Sequence, residues 1–116
     1  MNMEKNLTQN YLQSKGFVRD ETSAEGINRW HKSGERIQYY GPSWYISITF
    51  TDESGRTAAY GIFNKPRTTS THPGTHWVFE NGVLRKGPFG PRVQIPEPIT
   101  VDCFENILSE LNVELS

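Results

Sequence analysis

Trp44-Tyr45-Ile46-Ser47-Ile48-Thr49-Phe50-Thr51 is the stretch on which the fold turns. Large apolar residues at 44, 46, 48 and 50 alternate with Tyr45, Ser47, Thr49 and Thr51. A period of two is that of a strand with one face in a core. Polar partners on the other face point to an antiparallel sheet that is covered on one side only.

Strand signals flank this stretch on both sides. Upstream, residues 27–32 and 35–40 surround Ser33-Gly34, a candidate two-residue turn. Downstream, Asp52-Glu53-Ser54-Gly55 turns the chain into residues 56–63, where Ala58, Tyr60 and Ile62 are expected to face the same core. Residues 76–80 and 83–86 flank Asn81-Gly82, the strongest short hairpin signal, because a type I′ turn needs positive φ at both central positions. Val93-Gln94-Ile95 adds a short edge strand between Pro91 and Pro96.

Helices are expected at both ends. Met3, Leu7, Tyr11 and Leu12 share one helical face over residues 4–14, and Lys15-Gly16-Phe17 reads as a stop with glycine in the left-handed position. Phe104, Ile107, Leu108 and Leu111 fall at i, i+3, i+4 and i+7, with Asp102 and Glu105 spaced as a capping box. The expected fold is one α+β domain over residues 1–116. It has an N-terminal helix, an antiparallel meander of about six strands and a C-terminal amphipathic helix packed on the sheet. Hydrophobic residues make up only 34% of the 116, so the fourteen Phe, Tyr and Trp rings must supply much of the core.

The net charge of −1 conceals a seam. Residues 56–92 hold six cations against Glu80 alone, a net +5, and residues 93–116 hold five acids and no cation, a net −5. Such a split offers a basic surface to an anionic partner, or lets the acidic tail pack beside the basic loops of its own chain. The single cysteine, Cys103, permits no intrachain disulfide, and no stretch approaches the length of a membrane span. A cytoplasmic, reducing setting and no membrane partner are the expectation.

Two loops offer binding chemistry. Loop 64–75 holds Lys65, Arg67, five hydroxyl residues and Gly74, an inventory suited to a phosphate backbone, though also to a solvated polar loop. It lacks the spacing of a P-loop. Loop 85–92 sets Arg85, Lys86 and Arg92 around Phe89, which suits an anchor for a protein partner or stacking on a single strand; a Phe tucked into its own domain is the plainer reading. On the central strand, inward Trp44 turns Tyr45 outward, where it serves a binding platform or only cross-strand packing.

Chemistry beyond binding finds little support. No nucleophile elbow, metalloprotease helix or paired-carboxylate motif is present, and Asp20, Glu21 and Glu25 cluster in a turn-rich stretch. His72 and His76 are four apart, but Pro73-Gly74 bars the helix that would bring them together, so neither metal nor cofactor is expected. His31 receives no role. The expected function is a non-enzymatic binding module that contacts a protein partner through the aromatic sheet face with Tyr45 and through loop 85–92 with Phe89, the cations steering an acidic partner. Nucleic-acid or phosphate binding through Lys65, Arg67, Arg85, Lys86 and Arg92 is the alternative, and homo-oligomerisation a third.

Overall fold

The alternating stretch becomes β5 (Tyr45–Phe50), third in a seven-stranded antiparallel sheet. The computed structural model describes residues 5–21, 26–39, 41–51, 58–66, 74–87 and 89–115; at Ala58 and Ala59 only the backbone is described. In chain order the elements are α1 (Gln9–Ser14), β1 (Val18–Arg19), β2 (Asn28–Ser33), β3 (Arg36–Ile37), β4 (Gly41–Pro42), β5, β6 (Ala58–Lys65), β7 (Thr75–Glu80), β8 (Val83–Lys86), β9 (Arg92–Gln94) and α2 (Val101–Glu110). The sheet order β1-β2-β5-β6-β7-β8-β9 is a meander, with seven strands where about six were expected. No described helix is long and apolar enough to cross a membrane.

Ser33-Gly34 is not the turn that its composition suggests. Asn28 pairs with Phe50, Ser33 with Tyr45, Arg36 with Pro42 and Ile37 with Gly41, one unbroken register from strand base to tip. Gly34 N–H donates to the Trp44 carbonyl and Ser43 N–H to the Glu35 carbonyl, which carries the ladder across the gap between the paired segments. Residues 28–50 are therefore one long hairpin with its tip beyond Ile37. There Tyr39 takes a φ of 73°, a conformation rare outside glycine, and is 90% exposed. The Asn81-Gly82 turn forms as read, with φ of 53° and 77°.

Both helices lie on the face formed by Trp30, Ile46, Ile48, Phe50, Phe63, Phe79 and Leu84. Phe104 of α2 is fully buried and meets Phe63 at 5.9 Å and Phe17 at 6.3 Å between ring centroids. Trp30 Nε1 donates to Gln9 Oε1 at 2.8 Å and so ties β2 to α1. Trp44 proves only half-buried, packed against the rim of this core.

The facing of Tyr60 and Ile62 in β6 is the reverse of expectation, and the side chain of Ala58 lies outside the described residues. Tyr60 pairs with Thr49 and Ile62 with Ser47, so Tyr60 and Ile62 share the helix-free face and Phe63 takes the core. An irregularity between Thr49 and Phe50 resets the register across the strand pair. Gly61 occupies the core-side position between them. A Cβ there would stand 2.2 Å from Phe79 Cε1 and 2.8 Å from Ile48 Cδ1, so the absent side chain makes room for the Phe79 ring.

The helix ends follow from local hydrogen bonding. α1 is shorter than expected, starting after Thr8, whose Oγ1 accepts from Tyr11 N–H at 3.1 Å. The stop at Lys15-Gly16-Phe17 forms as read: Phe17 N–H donates to the Leu12 carbonyl and Gly16 N–H to that of Gln13, with Gly16 at a φ of 87°. α2 is capped by Thr100, whose Oγ1 accepts from Cys103 N–H at 3.1 Å, and not by Asp102, which lies inside the first turn. It ends as α1 does, with Asn112 at a φ of 55° in place of glycine and Val113 N–H donating to the Leu108 carbonyl.

Candidate functional site

Part of the charge seam is closed within the chain, at Lys86 and Lys65. Lys32, Lys65 and Lys86 point from three strands toward the helix layer. Lys65 Nζ donates to the Leu111 carbonyl at 2.6 Å, at the negative end of α2. Lys86 Nζ lies 3.0 Å from Glu110 Oε1 and 4.8 Å from the centroid of the Trp77 ring. Lys32 Nζ donates to the Lys15 carbonyl at 2.6 Å and to the Leu115 carbonyl. A groove of about 980 Å³ runs past Trp44, Lys32, Lys65 and Leu115, but Lys32 and Lys65 already bond backbone carbonyls there, and Lys15 lies over the Tyr11 ring.

The opposite sheet face has no described helix over it. The register sorts it into rows across the strands: His31, Ser47, Ile62, Val78, Arg85 and Arg92 in one, and Arg29, Thr49, Tyr60, Glu80, Val83 and Gln94 in another. A third row opens with Ser33, Tyr45, Asn64 and His76. On β5, Ser47 and Thr49 of this face are nevertheless buried. Tyr45 is half-buried and stacks on His31, with centroids 6.2 Å apart and planes 19° from parallel. The strand positions of this face hold three arginines, Arg29, Arg85 and Arg92, against one carboxylate, Glu80.

Phe89 sits in the turn between β8 and β9 and is 99% exposed, contrary to the plainer reading of a Phe tucked into the core. The turn is tight at both ends. Lys86 N–H donates to the Pro91 carbonyl at 3.1 Å, and a Cβ on Gly90 would stand 1.7 Å from the Lys86 carbonyl oxygen, so position 90 admits only glycine. Arg85 and Arg92 face each other directly across the two strands that this turn joins. A depression of about 330 Å³ beside them is lined by His76, Val78, Arg85 and Gly87.

The expected site residues therefore divide. Tyr45, Arg85 and Arg92 share the helix-free face, and Phe89 projects from the turn at its edge. Lys65 and Lys86 lie on the opposite face and serve α2. Arg67 and most of loop 64–75 lie outside the described residues. The five cations of the nucleic-acid reading thus do not form one patch, because neighbours on a strand point to opposite faces. Sequence reasoning missed His31, Tyr60, Ile62 and Val78 as members of the open face; their rows are set by the strand register, which composition alone does not carry.

Among the described residues no group of three metal-ligating side chains converges. The Tyr11 hydroxyl, among the described residues, is clearly shifted. Burial, with a 2.8 Å hydrogen bond to Glu105 and its charge, pushes the Tyr11 hydroxyl up to about 12. A folded value above the unfolded one means that the neutral phenol stabilises the fold below about pH 10, and that this contribution is lost as pH rises toward 12. Ultraviolet titration is expected to show one of the five tyrosines ionising late, and Tyr11→Phe to remove that late step.

Comparison with protein-family models, with curated proteins and with solved structures found no match to this chain.

Proposed function

We propose that the chain is a non-enzymatic binding module, in which the helix-free sheet face and the Phe89 turn engage an acidic protein partner. The exposure of Phe89 carries this reading. A fully solvated phenyl ring on a turn whose glycine is sterically obligatory is costly surface to keep in water, and such rings are typical anchors of interfaces. Arg85 and Arg92 beside it supply the charge that would steer an acidic surface into contact. Tyr45 and Tyr60 add amphipathic area on the same face. The lone cysteine suits a reducing, cytoplasmic setting.

Two observations favour a protein over a nucleic acid. Lys65 and Lys86 are committed to α2, and the sequence pI is only about 6.3, whereas dedicated nucleic-acid domains are usually basic. The test is capture from lysate on the immobilised chain, wild type against the Tyr45→Ala/Phe89→Ala double variant. Retention of the specific partner is expected to drop by about tenfold or more, the scale of losing anchors worth about 2 kcal/mol. The melting temperature should stay within a few degrees of wild type, since Phe89 lies outside the core and Tyr45 is only half-buried. Equal capture by both chains, or a variant that unfolds, contradicts the proposal.

A further inference from the structure

The free edge of β9 identifies how such a partner would attach. Lys86 N–H donates to the Pro91 carbonyl and Ile95 N–H to the Gly82 carbonyl, which fixes the alternation of the β8–β9 ladder. Positions 91, 93 and 95 turn their backbone groups toward β8, and Arg92 and Gln94 turn theirs away. No described strand lies beyond β9, and all three of its residues are exposed. Two N–H donors and two carbonyl acceptors are thus presented in strand geometry beside Phe89. Pro91 and Pro96 bound this edge and limit it to a short segment.

Charge selects the occupant. Arg85 and Arg92 occupy a non-hydrogen-bonded pair, the closer kind, in which Cα atoms stand about 4.5 Å apart. Both are exposed, no described acid pairs with either, and like charges directly opposed are unfavourable. A residue added opposite Arg92 projects onto the same face as both guanidinium groups. If it carries a carboxylate, it meets Arg92 at once and lies two strand spacings, about 10 Å, from Arg85, a gap that two long side chains bridge. The next residue along falls beside Val93 on the other face, which is 38% exposed and favours an apolar neighbour. A second copy of this chain fits poorly, because two β9 edges would bring four arginines onto one face. The opposite edge of the sheet is weaker: β1 has two residues, only Arg19 directs its backbone groups outward, and its side chain is held by Asn28 Oδ1 at 2.9 Å.

We infer that the partner's recognition segment is an extended peptide of alternating acidic and apolar residues, which adds antiparallel to β9 as an eighth strand. This rests on the proposed function and specifies its contact. The probe is a fluorescein-labelled heptapeptide of alternating Glu and Val, titrated into the wild-type chain by anisotropy. In antiparallel addition the residue opposite Arg92 exchanges both of its backbone bonds with it, so the Glu amides face β9. N-methylation of the Glu amides is expected to weaken binding at least tenfold, and methylation of the Val amides to leave it within about twofold, on the scale of hydrogen bonds lost or kept. Gln94→Pro, which removes an outward N–H and leaves the β8 ladder intact, should weaken the unmodified peptide similarly, and a Lys/Val heptapeptide should not bind.

No binding of the Glu/Val probe, or any other methylation pattern, overturns the inference. So does light scattering that shows the edge taken by a second copy, or a single-stranded oligonucleotide that binds in place of the peptide. A partner lost by Tyr45→Ala/Phe89→Ala yet unaffected by Gln94→Pro would sink strand addition alone and leave the proposed function standing.

Discussion

Phe104→Ala is expected to lower the unfolding free energy by about 3–5 kcal/mol, a large share of what a domain of this size possesses. The ring is fully buried and is the hub of the aromatic core, with Tyr11, Phe17 and Phe63 at 6.3, 6.3 and 5.9 Å. These partners come from α1, the turn after it and β6, so no single element can move to fill the cavity. Urea denaturation of the two chains measures the loss. A change below about 1 kcal/mol would mean that α2 does not pack on the sheet as described.

Gly61→Ala is expected to cost about 1–3 kcal/mol, although it adds a single methyl group to a strand that ordinarily favours side chains. The added carbon would overlap the Phe79 ring, which is itself buried and hemmed in by Phe63 at 6.0 Å. The mechanism is separable from a general dislike of alanine at this position. In a Phe79→Leu background the ring is gone, so Gly61→Ala should cost much less, and the double-mutant cycle should show a favourable coupling. Additive losses would place the damage in the backbone.

Much of the fold was legible where one residue type has only one comfortable conformation. Asn81-Gly82 and Lys15-Gly16-Phe17 were read correctly, because positive φ restricts the choice to few residues. The period-two run of β5 located the core strand. Legibility failed where tertiary context overrode a local signal. The hairpin tip was misplaced because a tyrosine, Tyr39, takes the strained conformation that Ser33-Gly34 advertised. The facing of Tyr60 and Ile62 was reversed because a one-residue irregularity opposite Phe50 leaves no trace in composition. α2 was given the wrong cap because Asp102 and Thr100 are both good caps, and only the backbone decides between them.

The site was legible in part for the same reason. Phe89 and Tyr45 were singled out by position, but their exposure was not legible: Phe89 is solvated where burial was the plainer reading, and Tyr45 is half-buried. The charge seam was visible as a sum, but a sum does not know parity. Arg85 and Lys86 are neighbours in sequence and lie on opposite faces of β8, one beside Arg92 and the other against Glu110. Of the four described cations of the basic segment, Lys65 and Lys86 are therefore used in internal packing, and Arg85 and Arg92 are presented outward.

Hydroxyl-radical footprinting of the wild-type chain, free and in complex with its captured partner, tests the central claim most directly. Oxidation of Phe89, Tyr45 and Tyr60 is expected to fall on binding, and that of Tyr39, at the far tip of the 28–50 hairpin and exposed in the free chain, to stay unchanged. Protection of Tyr39 or of Trp44 beside the helix-side groove, with Phe89 labelled as in the free chain, would contradict the account and move the interface to the other face of the sheet.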